Sequence, residues 1–270
     1  PLSYQWLAYK SFKARFIIAS TPQLADDLRF LLPLLLGLLY LNLVYHREEH
    51  PLTAGNIMLL LLAAFIFMSS AQDFMQLMAG SCCFSILGFY LINDIEAKNK
   101  FIFYNFTAEM AVFTALAVVF AKTGNVNLSA LANFTRHGWH RDLVALLLLV
   151  GVLIKCGMFL FQNQLLNLQR LEFNRMFAAS LLAAPLSGWL IYYQLFPLLS
   201  ASAYTQPILY AILSLSVLSS LLGLLWQDNL KAKILYFNML FGAFALFLLQ
   251  QNAAYLHTVI IPLLPMVLLM

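Results

Sequence analysis

Charged side chains are scarce in this sequence. Only 10% of its 270 residues are Asp, Glu, Lys or Arg, whereas 63% are hydrophobic. Soluble domains carry about 25% charged residues, and a soluble fold has no means of hiding this much apolar surface. The composition therefore predicts a protein that crosses a membrane several times.

Cysteine is also rare, and the motifs of several enzyme classes are absent. Cys82, Cys83 and Cys156 fall within apolar runs and have neither a disulfide framework nor the spacing of metal ligands. The sequence contains no nucleophile triad, phosphate-binding loop or haem-ligand pair. Outside the first 24 residues, basic residues do not interleave with aromatic ones in a patch, so nucleic acid is not an expected partner. We expect no cofactor in this chain.

What the chain does contain is a series of apolar runs, each long enough to cross a bilayer. A spanning helix needs about 20 residues, and backbone groups in hydrocarbon must pair internally, which favours helices. We therefore predict an all-α polytopic membrane protein with about nine transmembrane helices. The predicted spans are residues 28–45, 54–72, 74–93, 101–121, 142–161, 176–195, 204–226, 229–250 and 253–270.

The first 24 residues differ from the rest because basic side chains lie among aromatic ones. This pattern is typical of an amphipathic segment in the membrane interface; an ordinary loop or the end of a preceding span is the alternative. We treat residues 1–24 as an N-terminal basic aromatic segment and 25–270 as a single transmembrane helical domain. Because the chain begins at Pro1 without a signal-peptide pattern, we expect a longer parent sequence.

Two formally charged side chains lie well inside predicted spans, Lys155 and Glu109. A charge at the centre of a membrane helix costs about 2.5 to 3.5 kcal/mol, so it usually faces the protein interior and marks an ion or proton path. If the spans alternate in direction, the two lie about 9 Å and about 12 Å from the same face, where opposite charges can pair. This arrangement indicates a proton or ion relay. Two alternatives stay open: Lys155 extending to the headgroups, or a static ion pair that fixes helix packing.

The segment after Lys155, QNQLLNLQRLEFNR, is too polar to lie in lipid. It is either the second half of a broken helix that lines a water-filled cavity, or an interfacial helix followed by a turn. Near the start of the last predicted span, His257 is a further relay candidate because histidine titrates near neutral pH. A histidine at so shallow a position is more often an interfacial residue.

Six stretches carry a resemblance to a known family. LLLLVGVLIKCGMFLFQNQL, the most specific, is similar to a helix that bears Gly-Lys-Ser-Ala-Gln, and KFIFYNFTAEMAVF to a segment in which Asn precedes Gly-Asp. The others are DDLRFLLPLLLGLLYLNLVY, AGSCCFSILGFYLIN, QDNLKAKILYFNMLFGAFALFLL and AAYLHTVIIPLLPMVLLM. Together they resemble the antiporter-like membrane subunits of respiratory complex I, membrane-bound hydrogenases, Mrp-type sodium/proton antiporters and bicarbonate-accumulating complexes. The resemblance implies an inverted-repeat fold, with 25–195 as the first repeat and 204–270 as a partial second one.

The same resemblance places Lys155 on the family's essential broken-helix lysine, Glu109 on its acidic position and His257 on the first histidine of a later helix. Four relay positions depart from the family pattern. They correspond to the glutamate that partners the lysine, a histidine of the following helix, a second late histidine and a late lysine. The residues found there are Cys82, Ser180, Ile261 and Pro265. These side chains cannot hand on a charge, so the proton path must differ from the family's.

The resemblance also implies a role, partners and a location. We expect an antiporter-like membrane-arm subunit of a complex I-like assembly, without a redox site of its own, that takes part in proton or cation translocation through Lys155 and Glu109. Its expected partners are lipid and other polytopic subunits, in a bacterial or mitochondrial inner membrane. The alternatives are a non-conducting structural subunit and a stand-alone small-molecule transporter.

Overall fold

The structure is a computed structural model that describes residues 51–125, 127–128, 134, 138–180 and 185–251. Several sequence-based predictions lie outside the described residues and stay predictions. They are the segment 1–24, the spans 28–45 and 253–270, and the candidate residues His257, Ile261 and Pro265.

Ten α-helices and two short 3-10 helices make up the described part. The α-helices are α1 (Pro51–Ser69), α2 (Phe74–Leu91), α3 (Ile95–Thr123), α4 (Gly138–Lys155), α5 (Asn163–Leu166), α6 (Phe173–Ala178), α7 (Pro185–Gln194), α8 (Phe196–Ala201), α9 (Thr205–Trp226) and α10 (Leu230–Gln251). The 3-10 helices are Phe159–Phe161 and Asn167–Arg170. In place of strands, these residues contain one isolated bridge, Asp73 to Asn127. The predicted all-α class is confirmed.

Polar caps set the ends of the two helices that matter most for the site. The Asp73 carboxylate accepts from the Gln76 amide at 2.7 Å and begins α2. The Asp94 carboxylate accepts from the Ala97 amide at 2.8 Å and begins α3. Such caps satisfy amides that have no partner inside the helix. At the far end of α3, Gly124 adopts a φ of 64°, the left-handed conformation that ends many helices.

Four helices of the described part are long and apolar enough to span a membrane: α2, α3, α9 and α10. They correspond to the predicted spans 74–93, 101–121, 204–226 and 229–250. Helix α3 begins at Ile95, ahead of the predicted start, because the polar residues that precede its apolar run already form its first turns. Helix α1 covers most of the predicted span 54–72. The total of nine spans stays a prediction.

The predicted continuous span 142–161 is broken in the structure. Helix α4 ends at Lys155, and the helical segment Phe159–Arg170 continues at 54° to it. Gly157 makes the turn with a φ of 61°, a conformation that L side chains rarely adopt. Of the two interpretations of the polar segment after Lys155, the structure therefore has the broken helix.

Helices α3 and α4 pack directly against each other, and both α7 and α9 lie against α4. The closest approach is at Gly151 of α4, where an added Cβ would lie 2.6 Å from Val112 Cγ2 and 3.1 Å from the Ala108 carbonyl oxygen of α3. A side chain at Gly151 would push the two helices apart. Gly151 is therefore what allows the charged residues one turn away on each helix to meet.

We expect Gly151→Ala to lower the melting temperature of the purified protein, because overpacking of a dense core costs about 1 to 3 kcal/mol. Val112→Ala on the same background should restore part of the loss by making room for the new methyl group. The measurement is thermal unfolding in detergent. An unchanged melting temperature in Gly151→Ala would contradict the close approach.

Candidate functional site: a buried Lys155–Glu109 pair

The structure brings Lys155 and Glu109 together in the interior of the helix bundle. Lys155 is the last residue of α4, and Glu109 lies about halfway along α3. The Lys155 Nζ atom lies 2.6 Å from Glu109 Oε1, so the two side chains form a hydrogen-bonded ion pair. The two residues are far apart in sequence, and the packing of α3 on α4 brings them into contact.

Burial excludes the snorkelling alternative for the lysine. Lys155 has 0% of its surface exposed and Glu109 has 9%. A lysine that extended to the headgroups would leave its ammonium group in a wet interface. Here the ammonium group lies inside protein, where a charge persists only with a partner and further hydrogen bonds.

Two serines of α2 complete the site, and the sequence analysis missed both. Ser81 Oγ donates to Glu109 Oε1 at 2.7 Å, and Ser85 Oγ donates to the same oxygen at 2.9 Å. Lys155 Nζ also donates to Ser85 Oγ at 3.2 Å. Residues four apart lie on one face of a helix, so the pattern Ser-x-x-x-Ser in the apolar run of α2 was the available signal.

The family's partner glutamate has no acidic counterpart on α2. The corresponding residue, Cys82, is half-buried on the same helix and is a free thiol. Its neighbour Ser81 provides the contact to Glu109 instead. The acidic partner of the lysine therefore comes from α3, while α2 contributes two neutral hydroxyl groups.

The hydrogen bonds to Glu109 are unevenly distributed. Lys155, Ser81 and Ser85 all donate to Oε1, whereas the buried Oε2 atom accepts from no group within the described part. A carboxylate has about four acceptor positions, and leaving a buried acceptor unpaired costs about 1 to 3 kcal/mol. In an ion pair with only a structural role, Oε2 would be expected to have a hydrogen-bond donor as well.

A second group of buried polar side chains lies on the other side of the helix break. Ser180, which corresponds to a family histidine, accepts a 2.8 Å hydrogen bond from Asn238 Nδ2 of α10. Buried side-chain atoms of Gln162, Gln164 and Trp189 make no hydrogen bond within the described part of the chain. Groups of this kind are ordinarily satisfied by internal water. None of these side chains is charged, so this region carries no titratable step.

Exposed charges tie the broken segment to the start of α3. Glu96 forms salt bridges with Arg170 and, at 3.0 Å, with Lys100. Lys100 Nζ also lies 3.0 Å from Asn167 Oδ1, and Lys231 Nζ of α10 donates to the Leu171 carbonyl oxygen at 2.6 Å. These contacts hold the segment after the break in place although each exposed pair contributes little on its own.

Comparison with known proteins agrees with this geometry. The family described as NADH:quinone oxidoreductase/Mrp antiporter, TM, matches residues 68–264. The chain belongs to this family. Among solved structures, the chain is similar to one in the Mrp complex from Dietzia sp. DQ12-45-1b, with a TM-score of 0.68 and 18% sequence identity. The similarity covers 76% of this chain and 24% of that one, so the chain spans about a quarter of its length. No curated protein sequence matches it.

Membership in the antiporter family confirms the resemblance seen in the sequence and an integral, multi-pass membrane location. The functional roles assigned to Lys155, Glu109 and His257 stay predictions. In the part of the chain that is described, no group of His, Cys, Asp or Glu is arranged to hold a metal ion.

We expect Glu109→Gln to destabilise the protein by about 3 to 5 kcal/mol, because it leaves the Lys155 ammonium group buried without a counter-charge. The double variant Lys155→Met with Glu109→Leu removes both charges and should be close to wild type in stability. Thermal unfolding in detergent measures both. Glu96→Gln, which removes an exposed carboxylate from the same helix, is the matched control and should change little. A loss in the double variant equal to the sum of the losses in Lys155→Met and Glu109→Leu alone would show that the charges do not interact.

Proposed function

We propose that this chain is an antiporter-like membrane-arm subunit of a complex I-like or Mrp-like assembly, and that Lys155 and Glu109 relay protons or cations within it. The observation that carries the proposal is the fully buried Lys155 ammonium group, 2.6 Å from Glu109. An ionisable residue inside a membrane protein is expensive and is usually retained for ion or proton movement. Family membership supports the same role.

The geometry supports a simple exchange. In the ion-paired state Lys155 is charged and Glu109 is ionised, because each stabilises the charge of the other. Transfer of a proton from Nζ to the carboxylate would neutralise both groups, and two neutral groups are less costly in an apolar interior than two separated charges. The contact distance is short enough for direct transfer. Separation of the neutral pair would then leave each group able to exchange its proton with another neighbour.

The two serines suit this exchange. Ser81 and Ser85 hold Oε1 in position, and Ser85 also contacts the ammonium group. Because these donors use only Oε1, a proton from a further neighbour can add to Oε2 without displacing any of them. Glu109 thereby substitutes for the acidic partner that α2 lacks.

Partners and cofactors follow from the same proposal. Other polytopic subunits and lipid would surround the chain, and any redox cofactor would lie in another subunit of the assembly. This chain would contribute a segment of the proton or cation path and no chemistry of electron transfer.

We expect Lys155→Ala and Glu109→Gln each to reduce proton flux at least about tenfold, because relay by a positioned acid or base contributes about 100-fold or more to a transfer step. Flux is measured with a pH-sensitive dye in membrane vesicles that contain the whole assembly. Glu96→Gln should leave flux near wild type. Because the chain can also fail to assemble, each variant is first checked for incorporation on native gels. Unchanged flux in assembled Lys155→Ala and Glu109→Gln would refute the relay.

A non-conducting structural subunit is the second candidate, and a specific observation favours it. By the resemblance, Cys82 and Ser180 occupy positions at which the family has titratable residues. Ser180 is hydrogen-bonded to the neutral side chain of Asn238. On this reading the ion pair serves only to hold α3 against α4. It predicts that removing both charges together, with Lys155→Met and Glu109→Leu, leaves assembly and coupling intact.

A further inference from the structure

An apolar groove of about 560 Å³ lies between α2 and α3. Its volume is within the range of about 300 to 1,000 Å³ that is typical of small-molecule sites. Ile86 and Phe106 on its walls are 55% and 63% exposed. Both helices are long and apolar enough to span a membrane, so a ligand of this groove would come from the hydrocarbon phase.

The groove is not uniformly apolar, because Glu109 and Asn105 also line it. Each has a buried acceptor oxygen that receives no hydrogen bond within the described part, Glu109 Oε2 and Asn105 Oδ1. Asn105 is 2% exposed, and its Nδ2 atom already donates to the Phe101 carbonyl oxygen at 2.9 Å. The two residues are one helical turn apart on α3, about 6 Å along the axis. The groove therefore combines apolar walls with two acceptors that are unpaired within the described part.

We propose that this groove binds a membrane-dissolved amphiphile, whose apolar body lies between α2 and α3 and whose neutral O–H or N–H group donates to Glu109 Oε2 or Asn105 Oδ1. A neutral donor is specified because Lys155 already balances the charge of Glu109. An additional buried cation would be uncompensated and costly. The Glu109 side chain lines the groove and keeps 11% of its surface exposed, so it is within reach of a ligand bound there.

The size and shape of the groove favour a small amphiphile over a helix of another subunit. A helix with its side chains is about 10 to 12 Å across, and it would rest on exposed ridges such as Phe106 and Phe113 rather than fill the space between them. An apolar chain with one polar end matches an apolar groove whose lining includes two unpaired acceptors. Binding at this site is independent of the relay proposed above, since it requires only the acceptors and the groove.

The test uses two photoreactive probes, a twelve-carbon alcohol with a mid-chain diazirine and its methyl ether. They differ only in the hydrogen-bond donor. Membranes that contain the native assembly are labelled with each probe, and labelled peptides are identified by mass spectrometry. The alcohol should label α2 and α3 around Ile86 and Met110 about fivefold more than the ether, the ratio expected for a hydrogen bond worth about 1 kcal/mol. Unlabelled dodecanol should compete.

Substitutions then test the acceptors. Asn105→Leu leaves the Lys155–Glu109 pair intact and should reduce the preference for the alcohol, and adding Glu109→Ala should abolish it. Ile86→Trp should reduce labelling by both probes because it fills the groove. The control is Thr114→Ala, on the exposed side of α3 beyond the groove, which should preserve the preference.

Three results would overturn the proposal. Equal labelling by the alcohol and the ether would show that the groove makes only ordinary contacts with lipid. If the preference for the alcohol persists after both Asn105 and Glu109 are replaced, its hydroxyl group donates to some other acceptor. Labelling of the isolated chain but not of the assembly would mean that another subunit covers the groove. Since the readout is labelling and not flux, none of these results depends on whether Lys155 and Glu109 transport protons.

Discussion

The structure depends on one costly arrangement, an ammonium group and a carboxylate held in contact inside a bundle of apolar helices. Neither charge is tolerable there alone, and their mutual attraction offsets desolvation only when the geometry is close. The distance of 2.6 Å between Lys155 Nζ and Glu109 Oε1 requires that α3 and α4 approach each other tightly. That approach in turn requires a residue without a side chain at Gly151. The packing of the bundle and the chemistry of its site therefore share one constraint.

The break in the helix lies directly after the lysine of this pair. Helix α4 ends at Lys155, so the residue that carries the ammonium group is the last of its helix. Gly157 turns the chain by adopting a positive φ. Just after it, the Phe159 amide donates a hydrogen bond to Ser216 Oγ of α9 at 2.9 Å. Non-helical backbone inside a membrane protein must find such partners within the protein. Within the polar segment that follows, Gln164 is buried in the protein, while Arg170 and Glu172 are exposed.

By the resemblance, Cys82 and Ser180 are neutral residues at positions where the family has titratable ones. The chain nevertheless keeps the buried pair of Lys155 and Glu109. Ser81 and Ser85 stabilise the same carboxylate oxygen that Lys155 contacts, so the site keeps a charged pair with fewer ionisable members. Hydroxyl groups orient a carboxylate but do not change its charge. The result is one charged pair in which Glu109 Oε2 has no hydrogen-bond donor within the described part. Both the relay and the ligand site proposed for the groove depend on that open position.

Much of the fold could be predicted from the sequence because the length of an apolar run can be read directly from neighbouring residues. Runs of about 20 apolar residues predict spanning helices wherever they occur, and α2, α9 and α10 lie close to their predicted bounds. Lys155 and Glu109 stood out for the same reason, as isolated charges in apolar surroundings. The break at Gly157 was indicated by the polarity of the residues that follow it and by the resemblance of Lys155 to a broken-helix lysine. Its position was missed because a glycine's φ is decided by packing and not by composition.

The sequence by itself determined that the chain is helical, lies in a membrane and carries two charges that need a partner. Only the tertiary structure decided that the partners are each other, that two serines of α2 join them, and that Glu109 Oε2 is left without a donor. These facts depend on which faces of α2, α3 and α4 meet and how closely. Such contacts join residues 24 to 70 positions apart, and no local pattern in the chain specifies them.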